Sequence, residues 1–347
     1  MRGKLAADAD LSREDCVTRS RFCNATARHF CYVRNRHLRG QQRVTSDQAL
    51  APPDRRRVLV IFNPTAGARR RQRLDAVVAG LQAAGCDVLL RATTRRGDAE
   101  AFAREAHSSA FHVLLAAGGD GTINEVVNGL AADAPLLALC PMGTANVLAS
   151  EIGLVAEPAA IVRAVLTGEA REAWPGIANG RRFLMMAGVG FDAEVVAGIV
   201  PRLKRALGKG AYVVETARQL VRYRYPRFRI GIDGVVYDAA SAIIAKGHFY
   251  AGRYVVAPPA RLDAPSFHVC LFTASGPLAV LWYGTALLLG LVPRLPGVRL
   301  VPATRVEVAG DAAPVQGDGD IIATLPLTVT VAPQPVRLLA PAGAAQR

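Results

Sequence analysis

Acidic side chains are in deficit here: 28 Asp and Glu stand against 42 Lys and Arg among 347 residues, a formal net charge of +14. The deficit is local. Residues 1–57 hold 13 basic and 6 acidic side chains, and residues 199–230 hold nine basic and one acidic, Glu215, so two cationic patches adjoin a nearly neutral body. Cysteine is sparse as well. Cys16, Cys23, Cys31, Cys86, Cys140 and Cys270 form no CxxC pair, which argues against a disulfide framework and predicts reduced thiols in the cytoplasm. The gaps of six and seven residues between the first three do not match zinc-knuckle spacing, even with His29 and His37 nearby. The amino terminus lacks the apolar core of a secretory signal. Residues 277–292, PLAVLWYGTALLLGLV, carry no charge, but 16 residues fall short of the roughly 20 needed to span a bilayer. A buried helix or an interfacial segment anchored by Trp282 and Tyr283 is expected there instead.

What is present is organised around residues 116–130, AAGGDGTINEVVNGL. The apolar run 111–115 reads as a buried strand, and Ile123, Val126, Val127 and Leu130 share one helical face. Gly118, Gly119 and Gly121 lie between, where a Cβ would block close approach or forbid a positive φ. The T-x-x-E spacing of Thr122 and Glu125 predicts a capping box with the helix starting at Thr122. Free amides and the positive helix end then face an anion, most often phosphate. Asp120 beside such a cradle repels the anion unless a divalent cation or a proton in transfer lies between them, and a nucleotide with magnesium removes the conflict. The bland alternative is an Asp that only caps the turn.

Around this centre the chain reads β-α-β-α-β-α-β. Strands over 58–62, 86–92, 111–116 and 136–140 alternate with helices, the first of which faces inward through Leu74, Val77, Val78 and Leu81. This rhythm predicts a parallel sheet with helices on both faces, and a ligand beyond the carboxyl ends of the strands. There the turns 63–67 (NPTAG), Thr93, 118–122 (GGDGT) and 142–146 (MGTAN) would converge. Taken singly, Asn63-Pro64 is a turn former, Thr93 a strand-end hydroxyl and Thr144 a helix cap. From about Arg171 the pattern changes to strand-like runs, 182–187, 228–232, 235–245, 267–273, 305–308 and 327–331, which predict an antiparallel, sandwich-like second domain. The expected division is a disordered basic leader over 1–55, an α/β nucleotide-binding domain over 56–170 and a β-rich domain over 171–341. The cationic stretch 199–230 interleaves Tyr212, Tyr223 and Tyr225 with basic side chains, which suits anionic lipid. A solvated helix is the alternative, and no specific nucleic-acid partner is expected.

These motifs, in this order, resemble the diacylglycerol kinase catalytic-domain family, lipid kinases that include sphingosine and ceramide kinases. The resemblance rests on GGDGTINEVVNGL (118–130), Asn63-Pro64-Thr65-Ala66-Gly67, Pro141-Met142-Gly143-Thr144-Ala145-Asn146, Gly188-Val189-Gly190-Phe191-Asp192 and Asp318-Gly319-Asp320, and covers about 57–341. It implies an ATP site at Asn63, Pro64, Thr65, Ala66, Gly67, Thr93, Gly119, Asp120, Gly121, Thr122, Ile123, Asn124, Glu125 and Thr144, used with Mg2+. It also implies a lipid site in the cleft between the domains, and transfer of the γ-phosphoryl group of ATP to the hydroxyl of a lipid such as diacylglycerol. The protein would be cytoplasmic and peripherally associated with the membrane.

In that family the last residue of an Asp-Gly-Glu triplet is the proposed proton acceptor. Asp320 holds the position with one methylene less; Asp318 would orient the network, and Asp120 would act through magnesium or share the role of base. A Gly-Asp-Gly-Asp hairpin turn accounts for the same residues without chemistry. A second departure is larger: relatives commonly read P-x-A-x-x-D-D-G where this chain reads Pro258-Pro259-Ala260-Arg261-Leu262-Asp263-Ala264-Pro265. A structural magnesium site is therefore not expected, and no metal ligand is assigned. An NAD kinase also carries GGDGT, but this chain continues INEVVNGL and has no later N-x-D-G. A sphingoid or ceramide kinase and a catalytically silent membrane or RNA adaptor complete the alternatives.

Overall fold

A computed structural model describes residues 56–64, 68–200, 208 and 210–343. The expected leader and its cysteines, Thr65, Ala66 and Gly67, and part of the 199–230 stretch lie outside them. The chain opens in the expected alternation: β1 (Arg57–Phe62), α1 (Ala68–Ala83), β2 (Asp87–Ala92), α2 (Asp98–Arg104), β3 (Val113–Gly118), α3 (Asp120–Gly129), β4 (Leu136–Pro141), α4 (Val147–Glu151), α5 (Pro158–Thr167) and β5 (Glu169–Ala173). The first four strands are parallel in the order β2-β1-β3-β4. Strands β3 and β4 are buried along their whole length, as continuous apolar runs covered on both faces should be. Right-handed crossovers put α1 on one face and α2 and α3 on the other; accordingly α2 packs on α3, and α1 on α5.

Trp174 and Pro175 carry the chain into the second domain. Its elements are β6 (Gly176–Ala178), β7 (Arg181–Phe183), β8 (Met186–Val189), α6 (Phe191–Gly198), α7 (Gly210–Arg222), β9 (Phe228–Ile232), β10 (Val235–Ala239), β11 (Ser241–Ala245), β12 (Phe249–Tyr250), β13 (Tyr254–Val255), β14 (Phe267–Phe272), α8 (Pro277–Leu288), β15 (Val298–Ala303), β16 (Arg305–Ala309), β17 (Pro314–Gly317), β18 (Asp320–Thr324) and β19 (Leu327–Val331), before β20 (Val336–Ala340). Two six-stranded antiparallel sheets, β10-β9-β16-β19-β6-β7 and β15-β14-β11-β8-β17-β18, form the expected sandwich. Its core interleaves Phe183, Ile230, Val306 and Val329 from one sheet with Val189, Ile244, Val269 and Val315 from the other.

One feature departs from the sequence reading, and another decides between the two readings of the uncharged segment. Strand β20 leaves the sandwich and rejoins the first sheet, parallel to β4 at Leu338–Leu137 and antiparallel to β5. The second domain is thus an insertion between β5 and β20, because Leu338 and Leu339 bury themselves over the β4 edge that would otherwise stand unpaired. The uncharged segment is not a buried helix: in α8 only Ala286 is buried. Among the described residues no helix is long and apolar enough to cross a membrane.

Candidate active site

The four parallel strands end on one edge, at Phe62, Ala92, Gly118 and Pro141, and the turns beyond them are tied together by backbone bonds. The Asn63 amide donates to Ala117 O at 3.2 Å, the Thr93 amide to Phe62 O at 2.9 Å and the Met142 amide to Gly118 O at 2.8 Å. Thr93 is buried with its hydroxyl toward the Phe62 carbonyl at 3.4 Å, while Pro64 and Thr144 are exposed at the rim. Asp98 organises the turn after Thr93 by accepting from the Thr94 hydroxyl and amide and the Arg95 amide. Those donors hold its carboxyl down at about 2.

Helix α3 begins at Asp120, two residues before the expected start, with Gly119 in extended conformation as N-cap and no capping side chain. The capping box fails because Thr122 already lies inside the first turn. Gly118, Gly119 and Gly121 all have negative φ, so close approach alone accounts for them. A Cβ on Gly118 would lie 2.4 Å from the Thr122 Cβ, one on Gly119 3.1 Å from the Gly143 Cα, and one on Gly121 2.6 Å from Asp320 Oδ2. The helix start leaves the amides of Gly121 and Thr122 without intrahelical acceptors, at the positive end of the helix dipole.

The three carboxylates divide their work. Asp120 accepts from the amides of Asn146 at 2.9 Å and Val147 at 2.8 Å, bracing the glycine turn against the turn at 142–146. Burial pushes its carboxyl up to about 6 against the pull of those amides, and Asp318 adds to the rise. Asn146, at φ 46, closes its own turn through Oδ1 to the Gly143 amide at 2.7 Å and Nδ2 to Gly143 O at 3.1 Å. Asp318 is enclosed by the amides of Leu184, Met185 and Met186 and by Asn124 Nδ2. Burial raises its carboxyl above the ordinary range while these donors pull it back. Asp318 and Gly319, at φ 51 and 85, make the two-residue turn of the β17–β18 hairpin. The hairpin reading and the site reading therefore coincide, because the turn delivers Asp320 to Gly121. Asp320 is 35% exposed, with Arg96 Nη2 at 4.0 Å, and among the described residues its side chain accepts no hydrogen bond from the backbone.

Two residues assigned to the nucleotide work elsewhere. Ile123 is buried in the core and its amide donates to Gly119 O at 3.1 Å. Asn124 is buried and donates to Arg182 O at 3.0 Å, as does Asn128, tying α3 to β7. Arg182 answers with Nη1 on Val127 O and Leu130 O, the carboxyl end of α3. Two features went unseen in the sequence: Arg96, and the turn-closing role of Asn146, visible only as the last letter of MGTAN. Asp192, the last residue of the motif at 188–192, accepts from the Tyr250 hydroxyl and from Gln316 Nε2 at 2.8 Å. The departed loop is also occupied. Asp263 pairs with Arg261 at 2.8 Å, and the fully buried Lys246 donates to Ser266 O at 2.9 Å and to Ala264 O. Burial lowers the Lys246 ammonium to about 8.

A hollow of about 380 Å³ opens beside the 142–146 turn, lined by Ala145 and Ser150 from the first domain and by residues 251–254 of the β12–β13 hairpin from the second. A larger one of about 480 Å³, between α1 and α5, touches no candidate residue. Among the described residues no three His, Cys, Asp or Glu side chains gather as a metal cluster.

The family profile described as diacylglycerol kinase catalytic domain matches residues 57–176, and that described as YegS C-terminal NAD kinase beta sandwich-like domain matches 185–340. A protein of Pseudomonas aeruginosa (strain UCBPP-PA14) named "Probable lipid kinase YegS-like" is 32% identical over 294 residues, 82% of this chain and 94% of that protein. A "Diacylglycerol kinase" of Bacillus subtilis (strain 168) is 37% identical over 189 residues, 53% of this chain and 62% of that protein. The crystal structure of a diacylglycerol kinase from Bacillus anthracis str. Sterne shares the fold with a TM-score of 0.67 at 22% identity, covering 84% of this chain and 98% of that one.

Proposed function

This chain belongs to the lipid kinases of the diacylglycerol kinase catalytic-domain family, and on that premise we propose that it transfers the γ-phosphoryl group of ATP to the hydroxyl of a lipid such as diacylglycerol. One observation carries the reading: Asp320, a partly exposed carboxylate, sits against Gly121 in the glycine turn. When bound, ATP with Mg2+ supplies the phosphoryl group and offsets its charge. The amides of Gly121 and Thr122 and the positive end of α3 favour the phosphates. Asp120 keeps the two flanking turns at a fixed spacing, and Asp318 holds the hairpin that positions Asp320. Asp320 accepts the proton of the lipid hydroxyl. Magnesium held through phosphates asks the protein for only one or two carboxylates. Glu125, one helical turn beyond Gly121 and half-buried with no side-chain partner among the described residues, suits that need. The place of work is the cytoplasmic face of a membrane, with anionic lipids meeting residues 199–230.

Radiolabelled ATP offered with a panel of lipids tests this. The expected product is a phosphorylated lipid, formed by the unaltered chain and not by Asp320→Ala. NADP formed from NAD would replace the reading with a nicotinamide kinase, and no turnover together with RNA retention would replace it with an adaptor.

A further inference from the structure

Resting on that reading, we propose that α7 and α8 form a docking face for an anionic bilayer, with α8 lying along the headgroup plane beside the lipid route to the site. Helix α8 has no charged residue and buries only Ala286. Leu278 is 81% exposed, Trp282 56% and Leu288 65%. Scattered surface leucines need no explanation, but a contiguous patch does. Helix α7 touches α8 and exposes apolar side chains of its own, Val213, Val214 and Val221, the last 86% exposed.

Charge says what covers it. Arg222, Arg224 and Arg227 are exposed in and after α7. Their segment is stapled to the approach of α8: Arg227 Nη1 donates to Thr273 O at 3.0 Å, and the Ser275 hydroxyl donates to Tyr225 O at 3.2 Å. Glu215, the one acid in 199–230, is turned inward, buried and bonded to Gln219 at 2.7 Å and Arg218 at 3.4 Å. An apolar helix carrying Leu and Trp, edged by arginines, matches an anionic interface. A second copy fits worse, since a two-fold contact would bring like arginines together. The face also leads to the site. Helix α8 contacts β13, and the β12–β13 hairpin walls the 380 Å³ hollow beside Ala145 and Ser150.

The test uses the full chain without ATP. Trp174→Phe leaves Trp282 as the sole tryptophan. Mixed phosphatidylcholine and phosphatidylglycerol vesicles should shift its emission to the blue and carry the protein upward in flotation; phosphatidylcholine alone or high salt should weaken both. Removing Arg222 and Arg224 by Gln substitution should lower partitioning about fivefold per charge. Leu278→Glu with Leu281→Glu should abolish binding while leaving the thermal midpoint in place, both residues being exposed. Emission unmoved by anionic vesicles, without flotation, overturns the proposal. So does a lipid-free dimer in sedimentation velocity whose dissociation exposes Trp282. Phosphorylation of detergent-dispersed lipid by the unaltered chain keeps the two readings apart: turnover without vesicle binding overturns the docking face, and vesicle binding without turnover overturns the kinase.

Discussion

Replacing Gly121 with alanine separates the position of Asp320 from the identity of its carboxyl group. Gly121 is the second residue of α3 and has negative φ. Alanine therefore suits the backbone and should stabilise the fold by about 0.5 kcal/mol, because it restricts the unfolded chain. The new methyl carbon, however, would meet Asp320 Oδ2 at 2.6 Å, and ordinary contact begins at 3.4 Å. The carboxylate must retreat by about 0.8 Å, the difference between those two distances. It can do so without resistance from the fold, being the partly exposed end of a side chain. A displacement of about 1 Å at a reacting group costs about 100-fold in rate. The expected result is a kcat for lipid phosphorylation lowered about 100-fold, with the KM for ATP little changed and the thermal midpoint equal or higher. Steady-state turnover of detergent-dispersed lipid and a parallel thermal melt measure both sides. A stable Gly121→Ala protein with undiminished kcat would refute the placement of the base at this turn.

Asp320→Asn keeps the shape and removes the proton acceptor, so turnover should drop about 10²- to 10⁴-fold while ATP binding by calorimetry persists; Asp320→Glu should restore much of it. Retention of full turnover by the Asn variant would exclude Asp320 as base. Asp120→Asn leaves one of the two amides facing an NH2 group instead of an oxygen acceptor and should lower stability by about 1–3 kcal/mol. Because burial raises the Asp120 carboxyl from 3.8 to about 6, its contribution is fullest below the unfolded value and is lost as pH rises through about 6. Urea melts of the two proteins should therefore differ most near pH ~4 and converge above ~6.5; a gap that widens with pH contradicts the buried position. Lys246→Met strands the carbonyls of Ala264 and Ser266 and should lower the urea midpoint by an amount equivalent to about 3 kcal/mol. An unmoved midpoint would mean that the loop does not depend on the ammonium.

The parallel sheet and the convergence of its turns were legible because strand ends and glycine-rich turns are local features. What escaped was the identity of distant partners. Asn124 lies inside the motif read as a nucleotide contact, yet its amide meets Arg182, 58 residues on; the letters mark a constrained position without saying what constrains it. Thr122 and Glu125 have the spacing of a capping box, but the extended backbone at Gly119 starts the helix first. The charge conflict at Asp120 pointed to a metal, whereas two amides from another turn receive that charge. The run VRLLA of β20 reads as a strand in either domain, and only the bare edge of β4 decides its place. Arg96 is an ordinary turn arginine until the hairpin brings Asp320 to it.

The return of β20 bears on how the molecule can be taken apart. The chain crosses to the sandwich after β5 and comes back at β20, adjacent strands of one sheet, and the two crossings hold each other through the Ala332 amide on Pro175 O at 2.9 Å. No single cut separates the halves. A fragment ending near residue 173 would forfeit its own closing strand and expose a sticky ladder, whereas excising 176–331 and joining the severed ends would keep that strand and give a self-contained first half.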